Sequence, residues 1–431
     1  MDGRAGQDWS GLDDAARAVA AERCWQHAHD AQTDLAPFAK LCARQLPRAG
    51  SLAGLPYALK DMFEVAGRRP SWGLAASPFP SDCTQTAEVV RRLDAAGAER
   101  VGFTKMTALA YEPSGVNLLQ TPPLNPWNRD FAPGGSSSGS AVAVAAQLAF
   151  VAVGSDTGGS LRTPAQACGI TAWKPTWGLV PGSGAMPLAK SLDTIGLLAL
   201  SARDIELVRP VLCNTPAEPL LPAAPRIAVV CADALAAAER SVRNACEDGI
   251  AALARHGFEI RERTGLPIIE AAGQETLTLM AGEAARAHAA RFAGNLGDAA
   301  LARRLTKGLS IGDAAMAASL SGRAEMSRQF DDLLGPDAQF LILPVAPIRT
   351  PLLAEVDPRS PRFRPRTLYE LSAYTRFVNY LGLPAVALPI GRDDRGLPLA
   401  LQLVARPDAD RALLAAAIEF QAGTDWHLMR P

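Results

Sequence analysis

Gly134-Gly135-Ser136-Ser137-Ser138-Gly139-Ser140 opens the block on which the reading of this chain turns. An alanine/valine run follows to Leu148, then the apolar tetrad Phe150-Val151-Ala152-Val153, then Asp156-Thr157-Gly158-Gly159-Ser160. The run predicts a helix and the tetrad a buried strand. Two Gly/Ser turns therefore bracket one helix–strand unit. Glycines let a chain turn tightly and bring successive amide N–H groups to bear on one point. An oxyanion hole needs that arrangement, with donors aimed where charge develops on a carbonyl oxygen. A serine closing such a turn can attack the same carbonyl, which makes Ser160 a candidate nucleophile.

The first turn offers a competing reading. Gly135-Ser136-Ser137-Ser138-Gly139 fits Gly-x-Ser-x-Gly, in which Ser137 would be the nucleophile of a strand–turn–helix elbow. That elbow needs a strand before the turn. Asn125-Pro126-Trp127-Asn128-Arg129-Asp130 reads as loop, and Pro133 closes it, so the elbow is set aside.

A nucleophilic serine needs a base. The histidines are His27, His29, His256, His288 and His427, and none lies near a Gly/Ser turn in sequence. They read as surface or packing residues. His27 and His29, two apart on a helix, do not share a face. No His-Glu-x-x-His or other metal triad occurs, so neither metal nor cofactor is expected. A lysine can serve if burial lowers its pKa toward neutrality. Lys60 is the candidate. It stands in Pro56-Tyr57-Ala58-Leu59-Lys60-Asp61, a strand bounded by Gly54 and Gly67, with Tyr57, Leu59, Met62 and Phe63 around it. Asp61 fits a surface ion pair.

Helices and strands mix along the rest of the chain. Asp13 to Asp30 reads as a helix capped by Asp13 or Asp14, with Ala18, Val19, Cys24 and Trp25 on its apolar face. Thr86 to Ala96 reads as a helix capped by Thr86 and stopped by Gly97. Arg100 to Thr104 follows as a strand. Pro222 and Pro225 mark a linker-like connection before a strand–helix–strand stretch that opens at Arg226-Ile227-Ala228-Val229-Val230. Its helix ends near His256-Gly257. Residues 268–334 read as wholly helical. Late strands are expected at Phe340 to Leu343, Ala385 to Pro389 and Leu399 to Val404, the last two joined by a turn at Asp394-Arg395-Gly396. This mixture predicts one α/β domain with helices over both faces of a large sheet.

Composition narrows the class. Of 431 residues, 48% are apolar and 20% charged, which excludes a disordered chain. A net charge of −1 gives no pull toward nucleic acid or an anionic membrane. Seven cysteines at 24, 42, 83, 168, 213, 231 and 246 are odd in number and widely spaced, and read as free thiols in a reducing compartment. Met1-Asp2-Gly3-Arg4 carries no apolar run, so no signal peptide is expected. Apolar runs break before about 18 residues, so no membrane span is expected and the cytoplasm is the default.

Taken together, these pieces resemble the amidase signature family. Pro133 to Ala141 matches its Gly/Ser-rich signature, Gly154 to Ala165 its nucleophile segment, and Lys60-Asp61 its lysine strand. Ser136 and Ser160 are 24 residues apart, the family's spacing. The match continues in Trp173-Lys174-Pro175-Thr176-Trp177-Gly178-Leu179-Val180 and Ser191-Leu192-Asp193-Thr194-Ile195-Gly196. It resumes in Asn379-Tyr380-Leu381-Gly382-Leu383-Pro384-Ala385 and in Gly396 to Val404. Residues 50–205 and 340–427 carry it. Departures are Met62 and Lys105, where relatives often have Asn, and Ala108, where many have Glu.

The resemblance implies a single large domain over 1–431, with a central twisted mixed β-sheet covered by α-helices on both faces. Helices would fill 1–50, the signature core about 51–205, a variable helical region about 225–335, and a final sheet and helix about 336–431. It implies an amidohydrolase that cleaves a carboxamide through a Ser160 acyl-enzyme. Ser136, after a cis peptide, would relay the proton to Lys60. Backbone N–H groups of Thr157, Gly158, Gly159 and Ser160 would hold the oxyanion. Ser137, Asp156 and Arg162 would shape the turn. Ala110 and Tyr111 lie where the family builds its acyl pocket wall, and Trp177 would help set substrate size. The expected partner is a small-molecule amide, with no nucleic acid bound directly and a homodimer by family habit. The short chain and the triple-serine signature place a stand-alone amidase first. The catalytic subunit of a tRNA-dependent amidotransferase is the alternative within the family, and a non-catalytic assembly member lies outside both.

Overall fold

Apolar residues that alternate between two cores build the sheet. In Val151–Asp156, Val151 and Val153 pack into one hydrophobic cluster and Ala152 into another. In Phe340–Pro344, Phe340 and Ile342 face the first cluster while Leu341 and Leu343 face a third. Side chains of a strand point alternately to its two faces, so both faces of this sheet are covered.

The computed structural model describes residues 8–44, 48–216, 226–292 and 296–431. The opening Met1 to Arg4 and the connection at Pro222 and Pro225 lie outside the described residues. Among the described residues the sheet has eleven strands: β1 (Phe38–Leu41), β2 (Pro56–Lys60), β3 (Glu99–Thr104), β4 (Val151–Asp156), β5 (Thr171–Lys174), β6 (Thr194–Ala199), β7 (Ile227–Cys231), β8 (Glu259–Arg263), β9 (Phe340–Pro344), β10 (Ala385–Arg392) and β11 (Pro398–Ala405). Their order is β1-β3-β2-β4-β6-β5-β10-β11-β9-β7-β8. β2 runs parallel to β3 and β4, and β7 parallel to β8 and β9; the other pairings are antiparallel. The sheet is mixed, as expected.

Helices Glu88–Ala95, Ala202–Cys213, Arg240–Arg255 and Asp410–Ala422 bury their apolar sides in the first cluster. Helices Ser138–Ala145, Arg162–Cys168 and Leu266–Phe292 cover the opposite face. Ser138–Ala145 is buried along its whole length. Only small side chains permit that: a Cβ on Gly139 would collide with the backbone at Pro37 and Lys105. Among the described residues, no helix is long and apolar enough to cross a membrane. All seven cysteines are unpaired.

Several local expectations need correction. The first helix runs Asp14–Asp34 with Asp13 as its cap, its side chain accepting from Ala16 N. Its buried face is Ala21, Cys24, Trp25 and Ala28; Ala18 and Val19 are exposed, because the helix lies against the sheet edge on a narrower stripe. The second helix is capped at Ala87, since Thr86 Oγ1 is engaged in accepting from Ala66 N at 3.0 Å. The described residues of 268–334 form three helices rather than one continuous helical stretch, Leu266–Phe292, Ala299–Gly308 and Asp313–Leu334. The stretch 1–50, expected as helices, also holds strand β1, which pairs along the sheet edge with β3. β5 and β6 were not foreseen as strands either. Both are buried at every position and lack the alternation that marks a half-exposed strand.

Candidate active site

Parallel pairing of β2 with β4 sets Leu59 beside Val153, so the two C-terminal ends finish at one edge of the sheet. Lys60 ends β2, and Ser155 and Asp156 end β4. Ser138–Ala145 packs along β4, and the two Gly/Ser turns meet at this edge. Ser137 N–H donates to Ser160 O at 3.2 Å, and Ser137 Oγ donates to Ser155 O at 3.2 Å.

Lys60 is fully buried. Its Nζ donates to Ser136 Oγ at 2.8 Å and to Ser155 Oγ at 2.9 Å. Burial pushes its pKa down to about 7, against the opposing pull of the Asp156 and Asp193 carboxylates. Lys174 provides a comparison. It is as deeply buried and also brought to about 7, yet its Nζ donates to Pro175 O and Thr194 Oγ1 and to no serine of the two turns. Contact, not burial, singles out Lys60. The Gly135–Ser136 peptide is cis. Ser136 is buried, whereas Ser160 is half-buried and its Oγ makes no hydrogen bond among the described residues. Lys60 and Ser136 thus touch directly, while Ser160 meets the first turn through its carbonyl, which accepts from Ser137 N–H.

Asp156 and Arg162 shape the turn, both fully buried. Asp156 Oδ1 accepts from Gly159 N at 2.7 Å and Oδ2 from Leu161 N at 3.1 Å. Arg162 Nη2 and Nε each reach the carboxylate, at 3.0 and 3.1 Å. Burial acts to raise the Asp156 carboxyl, but the charge and hydrogen bonds of Arg162, with Lys174 and Asn379, together outweigh it and hold the group well below the usual carboxylate range. The remaining donors of Arg162 go to Gln402 Oε1, Thr375 O and Asn379 Oδ1. Asn379 Nδ2 donates back to Asp156 Oδ1 and to its carbonyl. All three guanidinium nitrogens and both carboxylate oxygens of this buried charge pair are thereby engaged, the condition under which such a pair is tolerated.

Of the four backbone donors expected to hold an oxyanion, one is already engaged. Gly159 N–H points at Asp156 and is spent there. Thr157, Gly158 and Ser160 N–H make no hydrogen bond among the described residues. Gly159 adopts φ +130°, and a Cβ on it would collide with Thr375 Oγ1, which itself donates to Gly158 O at 2.7 Å. Thr157 Oγ1 donates to Asp193 Oδ1 at 2.6 Å. Asp193 also accepts from Leu188 N and Ala189 N, and burial raises its carboxyl to about 6.

Asp61 is buried rather than at the surface. It pairs with Arg68 and accepts from Ser71 N and Ser71 Oγ, fixing the loop after the lysine strand. The three wall residues do not share one cavity. Trp177, 47% exposed, lines a cleft of about 460 Å³ with Met62, Met186, Lys190 and Asp193. Tyr111 lines a smaller cavity of about 30 Å³ with Glu112, Arg304 and Leu368. Ala110 is packed in the main hydrophobic cluster and lines neither.

Residues without an assigned role in the sequence reading prove to hold the site: Ser155, Asp193, Thr375, Asn379, Gln402 and Glu112. Burial lifts Glu112 to about 7, and its carboxylate accepts from Ser114 N and Gly115 N beneath the cis peptide. Ser155, Asp193, Asn379 and Gln402 all stand inside stretches that carry the family resemblance, which is the signal that marks them.

Comparison with known proteins is consistent with this geometry. The sequence profile of the Amidase family matches residues 16–414. A glutamyl-tRNA(Gln) amidotransferase subunit from Chromohalobacter salexigens is 32% identical, over 90% of this chain and 87% of that protein. A crystal structure of an amidase superposes with a TM-score of 0.84 at 29% identity, covering 94% of this chain and 96% of that one. The corresponding glutamyl-tRNA(Gln) amidotransferase subunit of Thermotoga maritima superposes at 0.82 with 25% identity, covering 97% and 95%. The curated relative carries the name that the sequence alone ranked second. With the profile spanning all eleven strands and the fold shared nearly end to end, this chain belongs to the amidase family.

Proposed function

We propose that the chain cleaves a carboxamide to a carboxylate and ammonia or an amine, with Ser160 as nucleophile. The observation that carries this is the 2.8 Å bond from Lys60 Nζ to Ser136 Oγ in a fully buried setting that brings the lysine to about 7. A neutral amine there can take a proton from Ser136, which takes one from Ser160 as its oxygen attacks the amide carbon. The free N–H groups of Thr157, Gly158 and Ser160 then face the developing oxyanion, and Asp156 holds Gly159 so that the turn keeps its shape. The carbon–nitrogen bond breaks as the proton returns through Ser136 to the leaving nitrogen. Water adds to the acyl-enzyme by the same relay, releasing the carboxylate and restoring Ser160.

Two roles use this chemistry. The curated relatives favour the amidotransferase role, in which the amide is glutamine and the ammonia passes to a partner protein. The stand-alone amidase, first in the sequence reading, is the second role, supported by the amidase crystal structure. The test is ammonia release from glutamine, malonamide and benzamide by wild type and Ser160→Ala, each alone and with candidate partner subunits. Release from glutamine that rises with a partner supports the first role. Release from another amide without a partner supports the second. Equal release by Ser160→Ala would remove Ser160 as nucleophile.

A further inference from the structure

Arg376 follows Thr375, the residue that ties down Gly158. Its stem lies along the nucleophile turn: a Cβ on Gly158 would stand 3.5 Å from Arg376 Cγ. Thr276, on Leu266–Phe292, accompanies it there, donating from Oγ1 to Arg376 O at 2.8 Å. Gly273, about one turn earlier on the same helix, leaves room for the side chain: a Cβ there would stand 3.7 Å from Arg376 Nε. The arginine therefore forms part of the wall over the turn that ends in Ser160.

Its guanidinium is nearly without acceptors. Nε is buried with no hydrogen-bond partner, and Nη1 reaches only Ser372 Oγ, at 3.5 Å. Among the described residues no carboxylate lies within 4.0 Å of it. Arg162, on the other side of the same turn, has its Nε and both terminal nitrogens engaged by five acceptors. The groups facing Arg376 from neighbouring elements include Tyr369, which in turn neighbours Tyr111; Arg304 lies 5.9 Å from the Tyr111 ring. Burial lowers the Arg376 pKa, opposed by Tyr369. A half-buried guanidinium with unsatisfied donors gains most from a planar anion, which it can bind by two parallel charge-assisted bonds.

We propose that Arg376 receives a carboxylate of the substrate, so that the molecule whose amide is cleaved at Ser160 is also an anion. The proposal rests on the reading of the Ser160 turn as the reacting site, and it names the substrate class as amides that carry a carboxylate, the ω-amides of dicarboxylic acids among them.

The experiment is a binding titration on Ser160→Ala, with succinamate and glutaramate as probes against neutral n-butyramide. The expected result is a preference for the carboxylates of roughly tenfold or more. That preference is expected to vanish in Ser160→Ala/Arg376→Gln and to return in part in Ser160→Ala/Arg376→Lys, which keeps the stem over Gly158 and the charge. Thermal melting of each variant establishes that it is folded. Absence of any preference in Ser160→Ala, or a preference unchanged by Arg376→Gln, overturns the proposal. Turnover by wild type is measured separately. A carboxylate preference that tracks Arg376 in a protein that hydrolyses no amide would sink the reaction assigned to Ser160 and leave the anion site standing.

Discussion

At the residue scale the burial of Lys60 has two consequences. A base must be neutral to accept a proton, so kcat/KM should rise as pH climbs through about 7 and level off above it. A pH–rate profile with its acid limb near the ordinary lysine value of 10.5 would exclude Lys60 as the base. The same shift bears on stability. The folded chain holds Lys60 neutral at a pH where the unfolded chain would protonate it, so folding is penalised below 10.5 and the penalty is complete below about 7. Lys60→Met removes it. That variant should be inactive yet melt no lower than wild type at neutral pH, and its advantage should shrink as pH approaches 10.5. The candidacy of Lys60 was legible because its apolar neighbours are adjacent in sequence. The roles of Ser155, Asp193 and Asn379 were not, because their partners Lys60, Thr157 and Asp156 lie 95, 36 and 223 residues away.

At the scale of the element, the turn from Asp156 to Arg162 is held from within and from outside. Gly159→Ala puts a methyl group into Thr375 and a side chain at φ +130°. It should destabilise the protein by about 1–3 kcal/mol and abolish fluorophosphonate labelling of Ser160. Labelling at the wild-type rate would mean the turn tolerates another shape. Removing Arg162 leaves a buried carboxylate unpaired. Arg162→Met should therefore cost about 3–5 kcal/mol in urea unfolding. Arg328→Met, at the exposed pair with Glu325, should cost at most about 1 kcal/mol. The helix–strand unit between the two Gly/Ser turns was readable in the sequence, since the first turn runs into a small-residue helix and the second ends an apolar strand. β5 and β6 were not. A strand covered on both faces has no exposed positions to reveal its period.

At the scale of the whole molecule, the expectation of one α/β sheet with helices on both faces holds. Its strand order could not be read. β5 pairs with β10, more than two hundred residues on, and no local pattern encodes such a partner. The assignment of role also belongs to this scale, since nothing near Ser160 says where ammonia goes. If the chain serves an amidotransferase, glutamine hydrolysis should rise several-fold on adding partner subunits, and gel filtration should show a stable complex. If it works alone, both should be unchanged. The seam at β5–β10 has a further consequence. Lys60, Ser136 and Ser160 all lie in the first 160 residues, but Arg162 is anchored by Thr375, Asn379 and Gln402. During translation, a ribosome that has released the chain only as far as residue 370 has produced every group of the proposed relay and none of its anchor. The nascent enzyme should stay silent toward cellular amides until synthesis is nearly complete. Chains ended before and after residue 402, probed with a serine-reactive label, would show whether reactivity switches on with that last segment.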